Sequence, residues 1–132
     1  MNELERKAGL PATPGYAYAR KVGSQLHVAG QVPCDSAGNI VGKDDAYEQV
    51  RQCLANLALV LGCHGFKLED VQHLTVYVVG GREAHSDAWR SVREQFADDV
   101  PPASLIGVTM LGYDEQVVEI DATVIKQSIE NS

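Results

Sequence analysis

Three cysteines, four histidines, a serine at the start of one strand-like stretch and two acids in another are the groups of this chain most able to do chemistry. Cys34, Cys53 and Cys63 are odd in number and show no C-x-x-C spacing, which argues against a disulfide scaffold or a zinc knuckle. Cys53 falls inside a helical apolar pattern and reads as a core residue. His27, His64, His73 and His85 lack metal-ligand spacing, so neither a metal nor another cofactor is expected. Asp44 and Asp45 are better explained by helix capping. Ser104 lies in VPPASLIGVTM (residues 100–110) without a G-x-S-x-G elbow or a paired base, so a nucleophilic role is weakly supported. The small pair Ala103 and Ser104 either packs at a strand start or lines a cleft. In VVEIDATVI (residues 117–125), Glu119 shares one face with Val117, Asp121, Thr123 and Ile125. It is either a solvated strand-face acid or a site residue, and Tyr16 is either a core or interface aromatic or a site residue.

The elements that must position these groups follow from periodicity. Residues 1–15 contain Pro11, Pro14 and Gly15 and read as a loop or arm. Tyr16–Arg20 and Gln25–Ala29 read as short strands joined by a Gly23-Ser24 turn. Asp45 with Glu48 resembles a capping box, and Val50, Cys53, Leu54, Leu57 and Leu61 form one apolar helical stripe that Gly62 and Gly65 end. Leu74–Val79 reads as a strand and Ala84–Ala97 as a second helix burying Ala88, Trp89, Val92 and Phe96, with Pro101 and Pro102 barring its continuation. Leu105–Met110 and Val117–Ile125 complete the pattern as strands. The order is β-β-α-β-α-β-β, an α+β domain. Two helices cover one face of such a sheet. The other face is mixed rather than polar, which favours association through the sheet.

A length of 132 residues suits one domain spanning 1–132. The net charge of −7 makes nucleic acid an unlikely partner and disfavours anionic membranes. No apolar run reaches membrane-spanning length and the N-terminus has no apolar signal core, so a cytoplasmic protein is expected, with no membrane partner.

From about Tyr16 to Ile125 the chain resembles the YjgF/RidA family. The matching stretches are LHVAGQVPCDSAGNIVG (26–42), QVRQCLANLALVLGCHGFKLEDV (49–71), TVYVV (75–79), PPAS (101–104) and VVEIDA (117–122). The resemblance implies a chorismate-mutase-like fold, a homotrimer, and small-molecule clefts between subunits. It also implies hydrolysis of enamines and imines such as 2-aminoacrylate and 2-iminopropionate to 2-oxo acids and ammonia. Relatives also carry an older L-PSP endoribonuclease description. Deaminating members open the penultimate strand with P-A-R-[ST], whose arginine grips the substrate carboxylate. Here Ala103 falls at the arginine and Ser104 at the Ser/Thr. Tyr16 falls at an N-terminal site tyrosine, Gly30 at a cleft-lining glycine, and Glu119 at the acid that holds water or ligand. A family Asn near the second helix has no counterpart; Trp89 lies nearest.

Losing the cation forfeits a charge-assisted contact worth ~2–5 kcal/mol. Arg20, Arg82 and Arg90 are the candidates to replace it from elsewhere. A Glu119 without a positive neighbour should titrate above the usual carboxylate range. The cleft should then favour neutral or amine-bearing ligands over small 2-imino acids. The alternatives are an active enamine or imine deaminase and a non-catalytic ligand-binding trimer.

Overall fold

The computed structural model describes residues 1–127. Its elements are α1 (Glu3–Lys7), β1 (Ala19–Val22), β2 (Gln25–Val28), α2 (Ala46–Cys63), β3 (Val71–Val79), α3 (Arg82–Gln95), β4 (Ala103–Val108) and β5 (Val118–Ile125), with a 3-10 turn at Leu68–Asp70 before β3. The five strands form one sheet in the order β1-β2-β5-β3-β4, antiparallel except for the β3–β4 pair. The expected α+β order is therefore present, with one helix added at the N-terminus.

Helices α2 and α3 lie on one face of the sheet. The side chains of Val50, Cys53, Leu57 and Leu61 meet Leu74, Val76, Val78, Val118 and Ile120 in one core. Alternation along β3 from Leu74 to Val78 and along β5 at Val118, Ile120 and Val124 dictates this, and burying each large aliphatic side chain is worth ~1.5–3 kcal/mol. Asp45 caps α2 by accepting from the Glu48 N–H at 3.1 Å, while the Glu48 carboxylate lies 3.5 Å from Arg51 instead of returning to the cap. Gly62 stays inside α2. The helix ends at Cys63, and the N–H groups of His64 and Phe66 close on the Leu61 carbonyl through a left-handed Gly65 (φ +80°). Helix α3 stops before the prolines, because Ala97 and Asp98 turn left-handed at φ 51° and 63°. Its Trp89 and Phe96 are only partly buried, and the fully covered residues are Ala88, Ser91 and Val92.

The N-terminal segment departs from the loop expected for residues 1–15. Asn2 and Glu5 form a reciprocal capping box, each side chain accepting the other's N–H at 2.8 Å. The remaining Glu5 oxygen lies 2.8 Å from His64 Nε2 at the end of α2, and Glu5 is 2 % exposed. Burial alone would raise this carboxyl. The His64 hydrogen bond and the Asn2 N–H outweigh burial and hold it below the ordinary glutamate range. A depressed carboxyl stabilises the fold above its unfolded-state pKa and loses that contribution as pH falls through the folded value. Protection of the amides of residues 1–10, taken relative to their intrinsic exchange rates, should therefore be constant near neutrality and fall only below about pH 4. Glu5→Ala should produce the same loosening at neutral pH, at a cost of about 1.5–3 kcal/mol. Exchange in α1 that ignores both changes would show that the pair holds nothing.

Candidate functional site

The face of the sheet away from the helices carries the acids. On β5, Glu119 lies opposite Tyr77 and Asp121 opposite Thr75. Tyr77 donates its hydroxyl to Asp121 at 3.0 Å, which holds the Tyr77 phenol above its ordinary range. The chain leaving β2 is pinned beside these acids by a bridge between Gln31 and Ile120, which places Gly30 directly against them. A Cβ at residue 30 would lie 2.6 Å from Glu119 Oε2 and 2.9 Å from Asp121 Oδ1. A glycine at 30 thus lets the two carboxylates close in on the backbone; any side chain there would push these movable side-chain ends away.

Glu119 opens into a concavity lined by Pro14, Tyr16, Gly30, Val32 and Tyr113. Burial is the main force raising its carboxyl above the ordinary range. Asp121 adds to the rise, and the Gln116 amide, 3.5 Å from Oε1, opposes it. Among the described residues, no Lys, Arg or His forms an ion pair with Glu119 or Asp121. Tyr16 and Tyr113 face each other across the mouth. Partial burial raises the Tyr16 phenol, and the neighbouring Tyr113 and Glu119 reinforce the shift.

The loop that carries Tyr113 is held from below by Gln49, which the helical pattern did not single out. Gln49 is fully buried in α2, and its Oε1 accepts the Val117 and Val118 N–H groups at 2.7 and 3.1 Å. Its Nε2 donates to the Glu115 and Gly42 carbonyls at 2.9 and 3.1 Å. These bonds fix Glu115 in a left-handed conformation (φ 70°) and aim Tyr113 and Gln116 at Glu119.

A profile of the family described as Endoribonuclease L-PSP matches residues 7–126. The chain belongs to the YjgF/RidA family. A RutC family protein of Pyrococcus horikoshii is 31% identical over 112 residues, 85% of this chain and 87% of its own. One from Sulfurisphaera tokodaii is 36% identical over 97 residues, 74% of this chain and 75% of its own. A Thermotoga maritima crystal structure with an endoribonuclease description superimposes at TM-score 0.80 with 28% identity, covering 92% of this chain and 94% of that one. The Escherichia coli YjgF product and E. coli TdcF with bound serine share the fold at TM-score 0.80, with 23% and 22% identity; each match covers 91% of this chain and 95% of the other.

Of the residues that the YjgF/RidA pattern singles out, three come together: Glu119, Gly30 and Tyr16 line one concavity. Ala103 and Ser104 do not join them within the chain. Ala103 pairs with Leu74 on the helix side of the sheet and packs against the core. Ser104 pairs with Thr75, which pairs in turn with Asp121, so Ser104 stands two strands from the acids, roughly 10 Å away. None of the candidate arginines lines the concavity. Arg90 is spent on Asp87 and Glu94 and stacks 4.4 Å from the Tyr47 ring. Arg82 opens α3, and Arg20 sits on the edge strand β1 opposite His27. Sequence reasoning missed Tyr113, Gln116 and the role of Asp121. The alternation in VEID was a usable signal for Asp121, but nothing local marks the other two.

Proposed function

We propose that this RidA-family chain is a small-molecule imine hydrolase tuned away from 2-imino acids. Glu119 is its base, and Tyr16, Gly30 and Tyr113 shape its cleft. The observation that carries the reading is a half-buried carboxylate, raised by burial and a second acid, facing a concavity that no cation among the described residues lines. Such a mouth attracts a protonated imine and repels a carboxylate. Water adds to the carbon of C=NH₂⁺ and its proton passes to Glu119. The C–N bond of the resulting carbinolamine then breaks, ammonia leaves with that proton as ammonium, and a carbonyl compound remains. The serine in E. coli TdcF supports a ligand of amino-acid size in this fold, but the cation position taken by Ala103 here removes the expected partner for its carboxylate. Three copies associating through the mixed sheet face would complete the cleft, with Ser104 and the backbone at the start of β4 of a neighbouring copy as further lining.

The test is ammonia release from imines generated freshly by an amine or amino-acid oxidase, with and without the protein. Turnover of an imine that lacks a carboxylate, lost in Glu119→Gln, supports the assignment. Turnover indifferent to Glu119 rejects it. Gly30→Ala should lower kcat by about 10²-fold, because the added methyl displaces both carboxylates by the order of 1 Å. Its melting temperature should hardly change, since the displaced groups are flexible side-chain ends. A normal kcat in that variant would remove Glu119 from the chemistry.

A further inference from the structure

Behind the mouth at Glu119 lies a second space. A cavity of about 50 Å³ lies beneath the arm that joins α1 to β1. Tyr16, Gly30, Val32 and Tyr113 line both this cavity and the concavity at Glu119, so the two adjoin across these residues. Its deeper wall is formed by Pro11, Tyr18, Cys34, Ile40 and Asn56.

The polar groups of that wall are already spent. Tyr18 donates its hydroxyl to the Pro11 carbonyl at 2.5 Å, which also pins the arm over the cavity. Asn56 donates Nδ2 to the Val32 and Cys34 carbonyls at 3.0 and 2.9 Å, and its Oδ1 accepts from Gln52 at 2.9 Å. Among the described residues, no buried side-chain nitrogen or oxygen is left without a partner. An occupant therefore meets ring faces, aliphatic carbon and a thiol whose pKa burial has raised. Apart from the Tyr16 and Tyr113 hydroxyls on the side towards Glu119, it meets no side-chain nitrogen or oxygen in need of a partner.

We propose that this cavity is a subsite for an apolar substituent, so that the preferred ligand carries an amine-derived head at Glu119 and a branched aliphatic or aromatic tail beneath the arm. The inference rests on the reading of Glu119 as the head-group partner and adds the class of molecule the site selects. Each methylene buried there should tighten binding about fourfold, so benzylamine should bind on the order of 10-fold or more tighter than methylamine.

The experiment uses the full chain with methylamine, isobutylamine and benzylamine as stable analogues of the imine head. Alkylation of Cys34 at mildly alkaline pH is mapped by peptide mass, with Cys63 as the internal control. Turnover of the matching imines is measured in parallel. Benzylamine and isobutylamine should protect Cys34 at concentrations where methylamine does not. A Cys34→Phe variant, which fills the cavity, should lose the KM advantage of the tailed imine over the small one. Protection of Cys34 without any turnover would uphold the subsite and reject the hydrolase reading. Turnover with equal KM for small and tailed imines and no protection would overturn the subsite while leaving the role of Glu119 intact. Neither protection nor turnover would overturn both.

Discussion

Glu119→Gln is expected to lower kcat for imine hydrolysis by about 10²–10⁴-fold, the range spanned by general-base groups. The amide keeps the size of the side chain and its contact with Gln116, so stability should change little. The native protein should also show a pH signature that the variant lacks. Only the ionised carboxylate accepts the proton of the attacking water. Burial and the neighbouring Asp121 raise the Glu119 carboxyl, so the rising limb of kcat should lie above the ordinary glutamate range and level off at higher pH. In Glu119→Gln that limb should vanish, leaving a flat residual rate. A variant that retained the limb would place the titrating group elsewhere, with Asp121 the first alternative because it shares the same face.

Ala103→Arg is expected to confer hydrolysis of 2-iminopropionate, raising kcat/KM by about 30- to 1,000-fold over the native chain. The position suits a long cation. Ala103 opens β4, which is an edge of the sheet within the chain, so a guanidinium there can lay its stem along the helix-side apolar surface and carry its charge outward. The same substitution should leave a carboxylate-free imine unimproved or slow it, because a new cation repels the protonated head. If the variant folds, still turns over the carboxylate-free imine and gains nothing on 2-iminopropionate, the start of β4 does not face the working cleft. The packing of Ala103 against the core would then be its whole role.

The core of the fold was legible in the sequence, and what was not legible has physical causes. The alternation in LTVYVV and VVEIDATVI fixed which side chains face α2 and α3, because a pleated strand leaves no other choice once one face is buried. The stripe of α2 was equally plain. The first residues of β3 were not, because a bulge between Val71 and His73 breaks the alternation and exposes Gln72. Strand β4 starts at Ala103 rather than Leu105 because it pairs with β3 in parallel, a tertiary contact that no local pattern announces. Helix α1 has too few residues to show a period and is held by Glu5 reaching His64 at the far end of α2. At the site, Glu119 and Gly30 were readable as a pair only through the family pattern. The reason for the glycine, two acids crowding one Cβ position, needed the fold. Gln49 is a polar residue inside an apolar stripe, and its role in shaping the Tyr113 loop appears only where α2 meets residues 115–118.

The most direct test of an arginine-free, carboxylate-indifferent cleft is a paired assay on the native protein. 2-Iminopropionate and ethanimine, its counterpart without the carboxylate, are generated in place by oxidases, and the rate of ammonia release is compared. Ethanimine should be hydrolysed with the higher kcat/KM, by about 10-fold or more, since no cation among the described residues lines the mouth at Glu119. Faster hydrolysis of 2-iminopropionate would contradict it and would mean that the assembled protein brings a cation to the substrate carboxylate by another route.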